Sequence, residues 1–217
     1  MLDQVLELTR AGGARLLILV LYAHPYPTRS RAGRALLNAI DDVPGVQVRS
    51  LYDLYPEFDI DIDAEQQALT GAHTVVWLHP FYWYSVPGIM KHWFDKVLEQ
   101  GWAYGEGGTA LAGKRCLWAV TVGGAETTYC EVGENLRTFP CYTEPLEQTA
   151  RFCGMEWEDP FVVFDSRTID DDALGAEAAR FRARLAAYVQ PAAIERVVDD
   201  ESAAVARRGA SERARIE

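Results

Sequence analysis

The chain has 217 residues, 32 acidic and 21 basic, for a formal net charge of −11. That length fits one large domain, and a hydrophobic content of 49% excludes disorder over most of it. The acidic balance argues against a nucleic-acid binder, which shows a basic face, yet leaves room for a small anion in a local pocket.

Residues 1–14 read as an N-terminal extension, a short helix on Leu2, Val5 and Leu6 closed by Gly12-Gly13. The run LLILVLYA at 16–23 reads as a strand buried on both faces. It is too short for a membrane span, which needs about 20 apolar residues. Arg10 and Arg15 precede it as in a signal peptide, but Asp3 and Glu7 interrupt the basic region and no small-x-small site follows, so a cytoplasmic location is expected. The loop HPYPTRSRAG then leads into a helix on Ala32, Ala35, Leu36, Ala39 and Ile40. VQVRSLYDL at 46–54 reads as strand two, nearer an edge because polar residues interrupt it.

A short helix over 63–72 with Asp63 as its cap precedes strand three, TVVWLH at 74–79. Val86, Ile89, Met90, Trp93, Phe94, Val97 and Leu98 recur at helical spacing, with Pro87 in the first turn. RCLWAVTV at 115–122 is strand four, Leu146 to Cys153 a helix, FVVFD at 161–165 strand five, and Leu174 to Tyr188 the last helix. Five alternations of strand and helix argue an α/β parallel sheet with helices on both faces. The domain is set at 15–190, with 191–217 as an exposed or disordered tail.

The cysteines at 116, 130, 141 and 153 form no CxxC pair and read as reduced packing residues. His24, His73, His79 and His92 show neither HxH nor HExxH spacing, so no metal site is expected.

In an open parallel sheet the ligand sits outside the carboxyl ends of the strands, at a switch point. With strand order 2-1-3-4-5, the loops after strands one, three and four converge. In the first, Thr28, Ser30 and the amides before the helix suit a phosphate, with His24 and Arg29 as further donors; an ordinary helix capped by Ser30 fits as well. Neither GxGxxG nor a P-loop is present. The second, HPFYWYS at 79–85, sets Phe81, Tyr82, Trp83 and Tyr84 in a row, more rings than one loop can turn into one core. Stacking on a planar ligand gives them a use. The third, TVGGAETTY at 121–129, offers Gly123-Gly124 for close backbone approach or positive φ, and hydroxyls at Thr121 and Tyr129. Phosphate grip, aromatic platform and close backbone together suit flavin mononucleotide (FMN).

The stretches YAHPYPTRS, RSLYDLYPEFDIDIDAEQ, HPFYWYSVPGIMKHWFDKVL, GWAYGEGGTALAGK and the TVGG loop resemble the flavodoxin-like NAD(P)H:quinone oxidoreductases. Within them the chain is most similar to the ancillary subunits of Kef glutathione-regulated potassium-efflux systems, over roughly residues 15–190. The resemblance implies a flavodoxin-like three-layer fold with a five-stranded parallel sheet, FMN, a homodimer, and two-electron reduction of quinones by NADH or NADPH. It implies phosphate contacts at His24, Ser30 and Gly33, with Arg31 and Ala32 in the same loop. It implies ring contacts at Phe81, Tyr82, Trp83 and Tyr84, places Thr121, Val122, Gly123 and Gly124 along the ring edge, and gives Tyr129 a part in stabilising charge during hydride transfer.

Three positions depart from the family. Tyr82 stands for a glutamine, Val122 for a threonine, and Asn135 stands near the place of a catalytic histidine. Two other functions stay open: a regulatory subunit docked on the cytosolic part of a membrane potassium-efflux protein, and a flavodoxin-type electron carrier. The aromatic surface of helix 86–98 and loop 101–108 reads either as a dimer interface or as monomer core.

Overall fold

The computed structural model describes residues 17–189, so the expected helix within 1–14 and the tail from Pro191 lie outside the described residues. Strand β1 (Ile18–Tyr22) is buried along its whole length. It pairs in parallel with β2 (Val46–Ser50) on one side and β3 (Thr74–Pro80) on the other. Strand β3 pairs in parallel with β4 (Arg115–Thr121). The order β2-β1-β3-β4 and the edge beyond it follow the expected 2-1-3-4-5 arrangement.

Two expected boundaries are corrected. Strand five is not one run over 161–165. Two short strands, β5 (Glu156–Trp157) and β6 (Phe161–Val163), both pair with β4, at Arg115–Cys116 and at Ala119–Thr121. Glu158-Asp159-Pro160 separates them. Pro160 has no N–H to give a ladder, which confines it to an edge or a break. Strand β2 stops at Ser50, and Leu51–Leu54 turn into a one-turn helix, α2. The buried Leu51 side chain holds that turn, and the Ser50 hydroxyl donates to Asp53.

Alternation along the buried strands divides the core in two. Ile18, Val20 and Tyr22 with Val76, Leu78, Leu117 and Ala119 face α1 (Arg31–Ile40) and α6 (Asp171–Tyr188). Leu19, Leu21, Trp77, Trp118 and Val120 face α2, α3 (Ile62–Gly71), α4 (Gly88–Val97) and α5 (Glu144–Phe152). Trp93 and Phe94 on α4 are 1% and 8% exposed, so that aromatic helix faces its own core. Asp61, not Asp63, caps α3, accepting from the Ala64 N–H.

One buried charge ties the second layer together. Glu65 on α3 is fully enclosed. It accepts from Arg49 of β2, from the Tyr55 hydroxyl at 2.6 Å and from the Trp93 indole at 2.9 Å. Burial and the neighbouring Glu65 carboxylate push the Tyr55 phenol up to about 12. Every donor that surrounds this carboxylate is therefore protonated at neutral pH. Removing the acid strands the half-buried Arg49 cation, and breaking such a pair from one side costs about 3–5 kcal/mol. A Glu65→Ala variant is expected to lose at least about 3 kcal/mol in urea unfolding; a loss under about 1 kcal/mol would show that the network contributes little.

Candidate functional site

The loops after β1, β3 and β4 leave the sheet side by side. Tyr22 is registered with Leu78, and Pro80 with Thr121. Backbone bonds knit the exits: Ala23 N–H donates to Leu78, Phe81 N–H to Thr121, and Val122 N–H to Val163, at 2.8–2.9 Å.

Ser30 occupies the N-cap position of α1 but makes no side-chain cap bond. Arg34 N–H closes the first helical bond onto the Ser30 carbonyl, while the N–H groups of Arg31, Ala32 and Gly33 make no hydrogen bond among the described residues. The ordinary-cap reading is thereby set aside. A helix start with three free N–H groups attracts an anion through its donors and its dipole. Gly33 is required there: a Cβ would lie 2.5 Å from Ser30 Oγ and 2.8 Å from Tyr22 Oη. Tyr22 Oη is itself buried without a hydrogen-bond partner. The Arg31 guanidinium turns away to the Ile169 carbonyl and Asp171, leaving only its backbone at the helix start.

His24 is half-buried, and its Nδ1 accepts the Tyr26 N–H at 3.0 Å. Burial holds the imidazole below its ordinary pKa. It is neutral at pH 7, with Nε2 as the remaining donor.

The four consecutive rings separate. Tyr82 and Ser85 exchange N–H···O bonds of 3.2 and 3.0 Å, closing a two-residue turn. Its central residues, Trp83 and Tyr84, sit at φ of 50° and 61°. That is the left-handed pattern of a type I′ hairpin, normally filled by Asn-Gly or Gly-Gly. The strained turn holds Trp83 out at 92% exposure. Tyr84 stacks on Tyr142 at 5.2 Å, and Tyr82 lies edge-on to His24 at 6.2 Å. Phe81 turns inward, between Phe139 at 5.2 Å and Tyr142 at 5.6 Å.

On the third loop Thr121 and Val122 are buried, and Val122 spends its N–H on Val163 and its carbonyl on Ser166. Backbone donation at Val122 is therefore not available. The free donors are the N–H groups of Gly123 and Gly124, which make no hydrogen bond among the described residues. Neither glycine has a positive φ, so the expectation of left-handed backbone gives way to close approach. Arg167 lies against Gly123, its Nε 3.1 Å from where a Cβ would stand. The Tyr129 phenol lies beside Gly124, and burial, with Tyr84, Tyr142 and Glu134 nearby, raises its pKa. It remains a proton-bearing donor at neutral pH. The Asn135 amide donates to the Thr128 carbonyl and hydroxyl at 3.1 and 2.9 Å. It pins the loop that carries Tyr129.

Sequence reading missed the support behind these rings. Trp118 stacks on Phe139 at 5.7 Å and 9°, and Phe164 packs edge-on against Phe139. Trp118 donates its indole N–H to His79 Nε2 at 2.8 Å, and His79 Nδ1–H donates to the Pro80 carbonyl. Alternation along β3 and β4 marks these positions as buried, but nothing in it says that they meet.

Residues 17–185 match the model of a family described as having a flavodoxin-like fold. The chain belongs to that family. It is 49% identical over 169 residues to the glutathione-regulated potassium-efflux system ancillary protein KefF of Klebsiella aerogenes, covering 78% of this chain and 94% of that one. It superposes on general stress protein 14 of Treponema denticola in complex with FMN with a TM-score of 0.74 at 30% identity, over 79% of this chain and 98% of the other. A putative quinone reductase from Klebsiella pneumoniae gives a TM-score of 0.70 at 28% identity, over 81% and 85%.

Two measurements check this geometry. Burial depresses His79 from 6.5 to about 4. Between those values the unfolded chain binds a proton that the folded chain refuses, so stability falls as pH falls from 6.5 toward 4. His79→Gln is expected to lack that component, about 1.4 kcal/mol per pH unit in denaturant unfolding; identical slopes would mean that His79 titrates normally. Trp83→Gly relieves a left-handed side chain that buries almost nothing. It is expected to raise stability by about 0.5–1 kcal/mol, and a fall of that size would mean that the indole contributes packing.

Proposed function

We propose that the protein is an FMN-dependent NAD(P)H:quinone oxidoreductase. The observation that carries this reading is the start of α1, with three free N–H groups and an uncommitted Ser30 hydroxyl beside a rim of aromatic side chains and glycine backbone. Its relatives support it, since this chain is 30% identical to a protein solved with FMN and 28% identical to a putative quinone reductase.

Ser30, Gly33 and the amides of Arg31 and Ala32 hold the phosphate, with His24 as a neutral donor on the same loop. Tyr82, Trp83 and Tyr84 cover the ring, and Phe81 backs the platform from within. FMN bound there would supply two-electron chemistry, linking hydride transfer from NADH or NADPH to reduction of a quinone that takes the hydride's two electrons and proton and a second proton from solvent. The N–H groups of Gly123 and Gly124 make no hydrogen bond among the described residues and would serve as fixed donors to negative charge on a reduced ring. Tyr129 adds a phenol that stays protonated through the neutral range. Asn135 acts on Tyr129 by fixing its loop and exchanges no proton with substrate. Tyr26, Trp83, Tyr84, Val132 and Leu136 are large apolar side chains left exposed on these loops. Each would offer apolar contact to flat, sparingly polar acceptors such as quinones.

A second reading rests on the 49% identity to a potassium-efflux ancillary protein. The chain would dock on a membrane efflux protein at its cytoplasmic face; among the described residues no helix is long and apolar enough to cross a membrane, so contact would be protein to protein. Co-purification with such an antiporter tests it. The homodimer rests on family resemblance alone, because α4 faces inward.

Purified protein is expected to carry a yellow flavin spectrum and to turn over NADH or NADPH continuously with menadione, giving parallel double-reciprocal lines. A plain electron carrier gives no sustained turnover. Ser30→Glu sets a carboxylate against the phosphate and is expected to yield folded, colourless protein. Yellow Ser30→Glu protein would place the phosphate elsewhere.

A further inference from the structure

The α1 start contains one polar group that the flavin reading has not used. Tyr22 is the last residue of β1 and is 2% exposed. Its hydroxyl is buried with no hydrogen-bond partner. An orphaned buried hydroxyl costs roughly 1–3 kcal/mol, and native proteins leave few of them. The neighbours explain this one. Tyr22 Oη and Ser30 Oγ would lie 2.8 and 2.5 Å from the same point, the missing Cβ of Gly33. Only glycine leaves both hydroxyls room beneath the first turn of α1. The Ser30 hydroxyl caps no N–H of the helix. Burial raises the Tyr22 pKa, with the Ser30 hydroxyl pulling it part of the way back, so the phenol keeps its proton at neutral pH.

We infer that Tyr22 is a positioning residue for the phosphate of FMN, acting through Ser30. It rests on the flavin reading above. The Tyr22 hydroxyl donates to Ser30 Oγ, and Ser30 Oγ–H donates to the phosphate. The two bonds form together. Tyr22 Oη is buried without a partner, and Ser30 Oγ is the hydroxyl that faces it across the space left by Gly33. Arg31 and Arg34 do not take this part: Arg31 is committed to Asp171, and Arg34 reaches the Thr28 carbonyl at 3.3 Å.

The test titrates the flavin-free protein with FMN and with riboflavin, which lacks the phosphate, and follows flavin fluorescence. Tyr22→Phe is expected to weaken FMN about tenfold, the loss of one hydrogen bond behind the phosphate's donor, and to leave riboflavin affinity unchanged. In a Ser30→Ala background the Tyr22→Phe change is expected to have no further effect. Urea unfolding of the flavin-free Tyr22→Phe protein is expected to show equal or greater stability, since an orphan hydroxyl is gone. Equal weakening of FMN and riboflavin, or lower flavin-free stability, would make Tyr22 a packing residue and overturn the inference. So would unchanged FMN affinity in Tyr22→Phe beside a wild type that binds FMN, which leaves the flavin reading standing. A wild type that binds neither flavin would sink both.

Discussion

The site depends on the parallel, in-register pairing of β1, β3 and β4. Parallel neighbours lie about 4.8 Å apart and point the same way, so their carboxyl ends deliver three loops to one rim. Tyr22 opposite Leu78 and Pro80 opposite Thr121 fix that rim to within a residue. A slip of one residue would move every core side chain to the other face of the sheet. Because both faces are buried, the two cores lock the register, and the register places the loops. Crossover helices must then cover the faces, leaving the rim as the open place for a ligand.

The start of α1 offers donors suited to an anion without using the chain's net charge. The protein carries −11 overall, yet the α1 start offers three N–H groups that make no hydrogen bond among the described residues, with Arg29 lying over the Tyr26 ring at 5.9 Å. Arg31 serves Asp171 and the end of the β6 loop, and Arg34 serves Thr28. Oriented backbone donors act locally, and their field reaches only about a turn. A strongly acidic chain and an anion site are therefore compatible.

The aromatic loop combines strain outside with packing inside. Phe81 and its partners Phe139, Tyr142 and Trp118 form a wall fixed by the Trp118–His79 hydrogen bond. That wall is why the Trp83-Tyr84 turn can hold two side chains in left-handed backbone, which costs about 1–2 kcal/mol each. The outward indole is bought with that strain and adds almost no burial to the fold.

Much of this was legible in the sequence. The apolar runs at 16–23, 74–79 and 115–122 announced central strands, because strands buried on both faces are apolar at every position. The helical spacing from Val86 to Leu98 announced α4, and the loops at 24–33, 79–85 and 121–129 announced the rim. The edge was not legible: the split of the fifth strand at Pro160 and the turn of 51–54 into helix depend on which side of the sheet remains unpaired. Tertiary structure alone decided that the four rings after Pro80 divide between core and surface, that Val122 has no backbone group to spare, and that Tyr22 and Ser30 share one space beneath Gly33. Local pattern sets which residues are buried and which segments are strands; which buried groups meet is set by packing between segments far apart in the chain, and one chain's pattern carries no record of that.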